Sequence, residues 1–178
     1  PPVLDRHADP LHAGGQRPRA GHVQGAHLHG RLACAAGAVL PAQTGGDRAI
    51  PMRDIEDLDR AMAWLYSKPQ TAVVLGGGFI GIEVAENLIK RGMQVALVQR
   101  GPQLMSSLDP EMAIILQQRM ASAGVDLRLN STVVSIGKKT VELMDETELP
   151  ADLVFVASGV SPVTRLAQEA GIALGPNG

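Results

Sequence analysis

The stretch VVLGGGFIGIE, residues 73–83, decides the fold of this chain. Its apolar start is typical of a buried strand, and its end has the apolar spacing of a helix. Between them, six consecutive residues fit the pattern G-x-G-x-x-G: Gly76, Gly77, Gly78, Phe79, Ile80 and Gly81. In such a unit the three motif glycines allow a tight turn, the approach of a pyrophosphate and close packing of the helix. The motif therefore predicts a dinucleotide held at the helix start, and the alternative is a glycine-rich turn without a ligand.

Strands and helices alternate on both sides of this stretch. The segments TAVVLGG, QVALVQ and VDLRLN are strand-like, and helices are predicted over residues 54–66, 79–91 and 110–123 because apolar residues recur there at spacings of three and four. The residues expected to face inward are Ile55, Leu58, Met62, Leu65, Ile80, Val84, Leu88, Met112, Ile115, Leu116 and Met120. Short connections between these elements predict a doubly wound parallel sheet with right-handed crossovers.

The pattern changes after residue 130. Residues 131–150, STVVSIGKKTVELMDETELP, contain short strand-like runs separated by turns, which predict an antiparallel hairpin or three-stranded meander. ADLVFVASG, residues 151–159, is a wholly apolar strand suited to the middle of the sheet, and a short helix is predicted after it. The expected fold class is α/β, with a Rossmann-type parallel sheet, helices on both faces and an antiparallel meander insertion.

Composition and hydropathy argue against nucleic-acid binding, a membrane span and a cleavable signal. The 178-residue chain is 45% hydrophobic with a formal net charge of -2, and this balance gives no argument for nucleic-acid binding. Its apolar runs are too short and glycine-broken for a membrane span, and the N-terminus lacks the apolar stretch of a cleavable signal. We therefore expect a cytoplasmic protein, with no membrane or nucleic-acid partner.

The first fifty residues have a different character from the rest. They hold all five histidines and eight of the twenty glycines, and they show no period of 2 or 3.6. We expect residues 1–51 to be disordered or aberrant and the folded unit to comprise residues 52–178. His22, His27, His29 and Cys34 match no standard zinc spacing, so no metal site is predicted. The single cysteine cannot form an intrachain disulfide.

Gln99 and Arg100 occupy the end of the second predicted strand. At this position an acid would accept hydrogen bonds from the adenosine ribose of NAD. A neutral glutamine does not repel the 2′-phosphate of NADP, and an arginine can bind that phosphate in a bidentate way. The pair favours NADPH or dual use, and the alternative is a solvated surface arginine. Glu83 is predicted to lie in the first turn of its helix, as a site residue or as a simple favourable charge.

Several motifs together resemble one family: residues 73–113, GVDLRLNSTV and ADLVFVASGVSPVTRLAQEAGIALG. The chain from about Arg53 to Gly178 is similar to the NAD(P)H domain of the FAD-dependent pyridine nucleotide-disulfide oxidoreductases, in the coenzyme A-disulfide reductase and NADH oxidase branch. The resemblance implies that Gly76, Gly78 and Gly81 hold the pyrophosphate. It also implies that Glu83 lies near the nicotinamide, that Ser158 and Gly159 bring backbone near the cofactor, and that Gln99 and Arg100 face the adenosine.

In that family a hydride passes from the nicotinamide to FAD and then to a disulfide, a sulfenic acid or oxygen. Residues 1–50 resemble none of its FAD domain, and their bias suggests a GC-rich gene read in the wrong frame. We expect a fragment that lacks the FAD and dimerisation domains of a homodimeric parent. It would bind NAD(P)H without turnover and would not hold FAD alone. The alternatives are a non-catalytic dinucleotide-sensing module and a flavin-free dehydrogenase.

Overall fold

The computed structural model of the protein describes residues 48–159 and 162–175, and the elements below lie in these ranges. The strands are β1 (Ala49–Pro51), β2 (Thr71–Leu75), β3 (Gln94–Val98), β4 (Asp126–Arg128), β5 (Val133–Ile136), β6 (Thr140–Leu143), β7 (Glu148–Pro150) and β8 (Leu153–Val156). The helices are α1 (Ile55–Tyr66), α2 (Phe79–Lys90), α3 (Pro110–Ser122) and α4 (Arg165–Glu169).

Five strands form a parallel sheet in the order β1-β8-β2-β3-β4. At its centre Val74 of β2 is paired with Leu97 of β3 on one side and with Phe155 of β8 on the other. Continuous apolar runs are typical of strands that are covered on both faces. The predicted central position of the ADLVFVASG strand is therefore confirmed.

The two faces of the sheet are covered by different layers. Side chains of α1, α2 and α3 pack in one cluster with Val74, Leu97 and Phe155. The opposite face, which includes Val73 and Val154, packs against an antiparallel sheet in the order β5-β6-β7. The predicted α/β class with a meander is confirmed. The layering differs from the expectation of helices on both faces, because the meander covers the face opposite α1, α2 and α3.

The predicted helices are present, but their buried faces differ from the prediction. Ile55 is 74% exposed and Ile115 is 61% exposed. Leu58, Ile80 and Met112 are exposed as well, whereas Leu88 and Met120 are buried as predicted. Helices α1, α2 and α3 instead each bury an alanine, at positions 61, 85 and 113. Small side chains allow a helix to pack closely against the sheet, and the larger side chains then lie beside the contact between helix and sheet.

The folded unit begins before the predicted boundary at residue 52. Strand β1 pairs with β8 along Ala49–Pro51, and Ile50 is fully buried. The Arg48 side chain donates hydrogen bonds to the carbonyl groups of Gly137 and Ala151. The boundary was wrong because three residues are too few to show a strand period in the sequence.

Asp152 joins the meander to the parallel sheet. Its carboxylate accepts hydrogen bonds from the N–H groups of Gln70 and Thr71, at 3.0 and 3.1 Å, and from the Lys139 ammonium at 2.8 Å. These hydrogen bonds hold the pKa of Asp152 well below its usual range. The bond from the Lys139 ammonium has the largest effect, and the backbone N–H groups add to it. The carboxylate is therefore ionised in the folded protein at neutral pH.

We predict that Asp152→Asn lowers the free energy of unfolding at pH 7 by about 1–3 kcal/mol, because an amide can serve only some of these donors. A carboxyl group with a depressed folded-state pKa stabilises the fold above its unfolded pKa, and this contribution is lost as pH falls below about 4. The variant should therefore lose less stability on acidification than the unsubstituted chain. Urea unfolding at pH 7 and pH 3 measures both effects.

Lys139→Met is the matched control. The Lys139 side chain is 78% exposed, so its loss should lower the free energy of unfolding by less than about 1 kcal/mol. Equal losses for the two variants at pH 7 would contradict the assigned role of the backbone N–H groups.

Candidate functional site

At two positions of the glycine turn between β2 and α2, neighbouring backbone lies too close for a side chain. Gly76 has a φ of +108°, and a Cβ atom there would overlap the carbonyl group of Ala157 after β8. A Cβ atom on Gly81 would overlap the carbonyl oxygen of Gly76. The Gly76 N–H group donates to the Val98 carbonyl oxygen of β3 at 2.8 Å. These contacts place the start of α2 directly on the carboxyl ends of the central strands.

Gly78, by contrast, faces open space. It is the N-cap residue of α2, and a Cβ atom there would have no neighbouring atom within 4 Å. Among the described residues, no side-chain hydrogen bond caps this helix end. The N–H groups in the first turn of a helix have no carbonyl partner within it, and they form the positive end of the helix dipole. Residues 78–80 therefore fit the phosphate groups of a dinucleotide.

Gly77 is held from the side of β3. Its N–H group donates to the Gln99 side-chain oxygen at 2.9 Å, and its carbonyl oxygen accepts from the Met105 N–H group at 2.7 Å. This N–H group is therefore used within the protein. The sequence showed Gln99 only as the residue in place of an acid and gave no sign of this contact.

Arg100 lies next to Gln99 and is exposed. Among the described residues its guanidinium group has no ion-pair partner. The backbone around it is ordered by two hydrogen bonds, from Gln99 N–H to the Arg128 carbonyl oxygen at 2.8 Å and from Asn130 N–H to the Gly101 carbonyl oxygen at 3.0 Å. The arginine is therefore presented to solvent from a fixed loop.

A narrow crevice lies where β1, β8 and α2 meet. Its lining includes Arg53, Ile80, Ser158 and Gly159, and it encloses about 10 Å³. That volume has room for about one water molecule, so a dinucleotide would lie along the open surface. The structure thus brings Ser158 and Gly159 beside Ile80 at the start of α2.

Arg53 is a crevice residue that the sequence analysis did not single out. Its Nε atom lies 2.9 Å from the carboxylate of Asp57, which also pairs with Arg60 at 3.2 Å. Burial by itself raises the pKa of Asp57, but the hydrogen bonds from Arg53 and the charges of both arginines lower it below its usual range. The four-residue spacing of Arg53 and Asp57 was a signal that could have revealed this pair.

Glu83 lies one turn deeper in α2 than predicted. The helix begins at Phe79 and has no acid in its first turn. Glu83 is exposed, and so is Phe79 one turn before it. The helix starts at Phe79 as predicted, so Glu83 is its fifth residue and lies beyond the first turn, and the dipole argument for a first-turn carboxylate does not apply.

The described residues contain a second, larger cleft at the opposite end of the sheet. It has a volume of about 410 Å³ and is lined by residues that include Thr71 and Gln94, the first residues of β2 and β3. Ligands of open parallel sheets bind outside the carboxyl ends of the strands. The glycine turn, not this larger cleft, is therefore the candidate site.

Residues 48–159 and 162–175 contain no group of three or more histidine, cysteine, aspartate or glutamate side chains that could hold a metal ion. The four residues considered as metal ligands, His22, His27, His29 and Cys34, lie outside the described residues. Within the described part of the chain, no helix is long and apolar enough to cross a membrane.

Comparison with known proteins identifies the family of the chain. The model of the family described as pyridine nucleotide-disulphide oxidoreductase matches residues 13–178. The chain belongs to this family. Its members depend on FAD and NAD(P)H. The match begins well before Arg53, so the expectation that the resemblance starts there was wrong. The biased composition of the early residues concealed their similarity to the family.

Individual relatives share parts of their length with the chain. It is 31% identical over 170 residues to NAD(P)H sulfur oxidoreductase (CoA-dependent) of Pyrococcus abyssi, covering 93% of the chain and 34% of the relative. It is 36% identical over 113 residues to nitric oxide reductase FlRd-NAD(+) reductase of Vibrio vulnificus, covering 61% and 30%. The crystal structure of reduced CoADR-RHD of Bacillus anthracis matches with a TM-score of 0.71 and 35% identity, covering 79% and 26%.

The chain thus spans about a third of the length of the curated relatives it matches. These similarities place it beside the coenzyme A-dependent reductases of the family, as the sequence resemblance implied.

Two single substitutions test the different functions of the turn glycines. We predict that Gly81→Ala destabilises the fold by about 1–3 kcal/mol or more, because its methyl group meets backbone. Gly78→Ala should change stability by less than about 1 kcal/mol, because its methyl group points into open space. It should nevertheless weaken dinucleotide binding, because that space is where the phosphates would lie. Thermal unfolding and calorimetric titration with NADH measure the two effects.

The reverse pattern would contradict this assignment. A stable Gly81→Ala variant, or a Gly78→Ala variant that binds NADH as tightly as the unsubstituted chain, is not compatible with the described geometry.

Proposed function

We propose that this chain is the NAD(P)H-binding domain of an FAD-dependent disulfide reductase or NAD(P)H oxidase. The observation that carries the proposal is the uncapped start of α2 at Gly78, open to solvent. There, free N–H groups and the helix dipole would bind the pyrophosphate. Gly76 and Gly81 would support binding by keeping this helix end close to the strands.

The nicotinamide end of the dinucleotide would extend toward the crevice beside Ser158 and Gly159. Ile80 and Arg53 form other parts of its lining, and Glu83 lies further along α2. When bound in the whole protein, the flavin would accept the hydride, and the contribution of this chain is to bind and orient the nicotinamide. We propose that the chain alone does not hold FAD and has no turnover, and that the whole protein is a homodimer.

The adenosine end would lie at the loop that carries Gln99 and Arg100. Arg100 is exposed, and among the described side chains its guanidinium group has no ion-pair partner. A charge-assisted hydrogen bond to a 2′-phosphate contributes about 1.5–3 kcal/mol, which corresponds to roughly tenfold to a hundredfold in affinity. We therefore propose that the site accepts NADPH, with NADH as a weaker ligand.

Parallel calorimetric titrations with NADH and NADPH test this proposal. We expect both to bind, with NADPH about tenfold to a hundredfold tighter. Arg100→Ala should remove this advantage and leave the affinity for NADH unchanged, because only NADPH carries the 2′-phosphate.

Arg119→Ala is the control, because Arg119 is an exposed arginine on α3 to which the proposal gives no ligand. Binding of neither nucleotide would refute the proposed function. Equal affinities that Arg100→Ala leaves unchanged would refute only the role of Arg100.

A further inference from the structure

We propose that Gln99 is a positioning residue for the pyrophosphate, acting through Gly77 and not only through the adenosine. Its side-chain oxygen accepts the Gly77 N–H group at 2.9 Å and so sets the position of the glycine turn. The proposal rests on the proposed function, because it concerns how the same site holds its ligand.

Gly77 is contacted on three sides by a single loop. Besides the hydrogen bond to Gln99, the Gly77 carbonyl oxygen accepts from Met105 N–H at 2.7 Å. A Cβ atom on Gly77 would overlap a methyl group of Leu104, which is fully buried, and would lie 3.4 Å from the Gln99 Cβ atom. Residues 99–105 therefore contact the N–H group of Gly77, its carbonyl group and the position that a side chain would take.

This loop is itself anchored to the body of the fold. The Leu104 N–H group donates to the Gln117 side chain of α3 at 3.1 Å. The backbone of Gln99 is hydrogen-bonded to Arg128 at 2.8 Å and to Ser131 at 3.1 Å. Gly77, which directly precedes the helix cap, is therefore tied through the loop to α3 and β4. The N–H groups of residues 78–80, which have no carbonyl partner within the helix, begin at the next residue, so their position depends on this connection.

The contact with Gly77 also orients the Gln99 amide. Because the Gly77 N–H group needs an acceptor, the oxygen faces the turn and the Gln99 Nε2 atom lies on the side of Gly101. A carboxylate at position 99 could accept the same N–H group, but it would add a negative charge near the adenosine end. A methionine has a similar length but offers only a weak acceptor. Glutamate and methionine therefore separate the positioning role from the charge of the site.

The experiment compares Gln99→Met and Gln99→Glu with the unsubstituted full chain by calorimetric titration with NADH and NADPH. Gln99→Met should weaken both nucleotides by the same factor, about tenfold, because both carry the pyrophosphate. The ratio of the two affinities should stay within about twofold. Gln99→Glu should restore NADH binding to within about threefold of the unsubstituted chain, while NADPH stays weak because a carboxylate repels its 2′-phosphate.

The outcomes separate the two proposals. If the unsubstituted chain binds neither nucleotide, the proposed function is wrong and this inference is overturned with it. If Gln99→Met melts at a lower temperature but binds both nucleotides normally, the contact with Gly77 is only structural and the inference alone is overturned. The same holds if Gln99→Met weakens NADPH alone. Should Gln99→Met not fold, Leu104→Val loosens the contact on Gly77, and it must weaken both nucleotides equally for the inference to stand.

Discussion

The backbone of Gly81 lies against the carbonyl group of Gly76, and the site depends on this contact. It allows α2 to start directly above the ends of β2 and β8, with no side chain between helix and turn. If a side chain at position 81 moved α2 away from the turn, the first N–H groups of the helix would no longer lie at the carboxyl ends of the central strands. Close packing of backbone on backbone therefore determines where the positive end of the helix dipole is presented.

The two loops at the carboxyl ends of β2 and β3 have different functions in the candidate site. The turn of residues 76–78 leads into α2, whose first N–H groups have no carbonyl partner within the helix. The loop of residues 99–105 holds that turn through its contacts with Gly77. Arg100 lies on the same loop but faces solvent. Under the proposed function, a glutamine in place of an acid would therefore affect both the charge at the adenosine end and the hydrogen bonding of the turn.

Sequence patterns predicted the central elements well, because a continuous apolar run such as β8 and a glycine turn after β2 are local signals. They failed where the structure depends on distant partners. Ile55 and Ile115 looked like core residues by spacing, but alanines form the close contacts of the helices. The hydrogen bond between Gln99 and Gly77 joins residues 22 positions apart, and no local pattern indicates it.

The central claim is that the start of α2 binds the pyrophosphate. Backbone amide NMR of the labelled chain during titration with ADP-ribose, which carries the pyrophosphate without the nicotinamide, tests it most directly. The account predicts the largest shift changes at the amides of residues 78–80, with smaller changes at Ser158 and Gly159. Changes centred on the cleft beside Thr71 and Gln94, at the opposite end of the sheet, would contradict it.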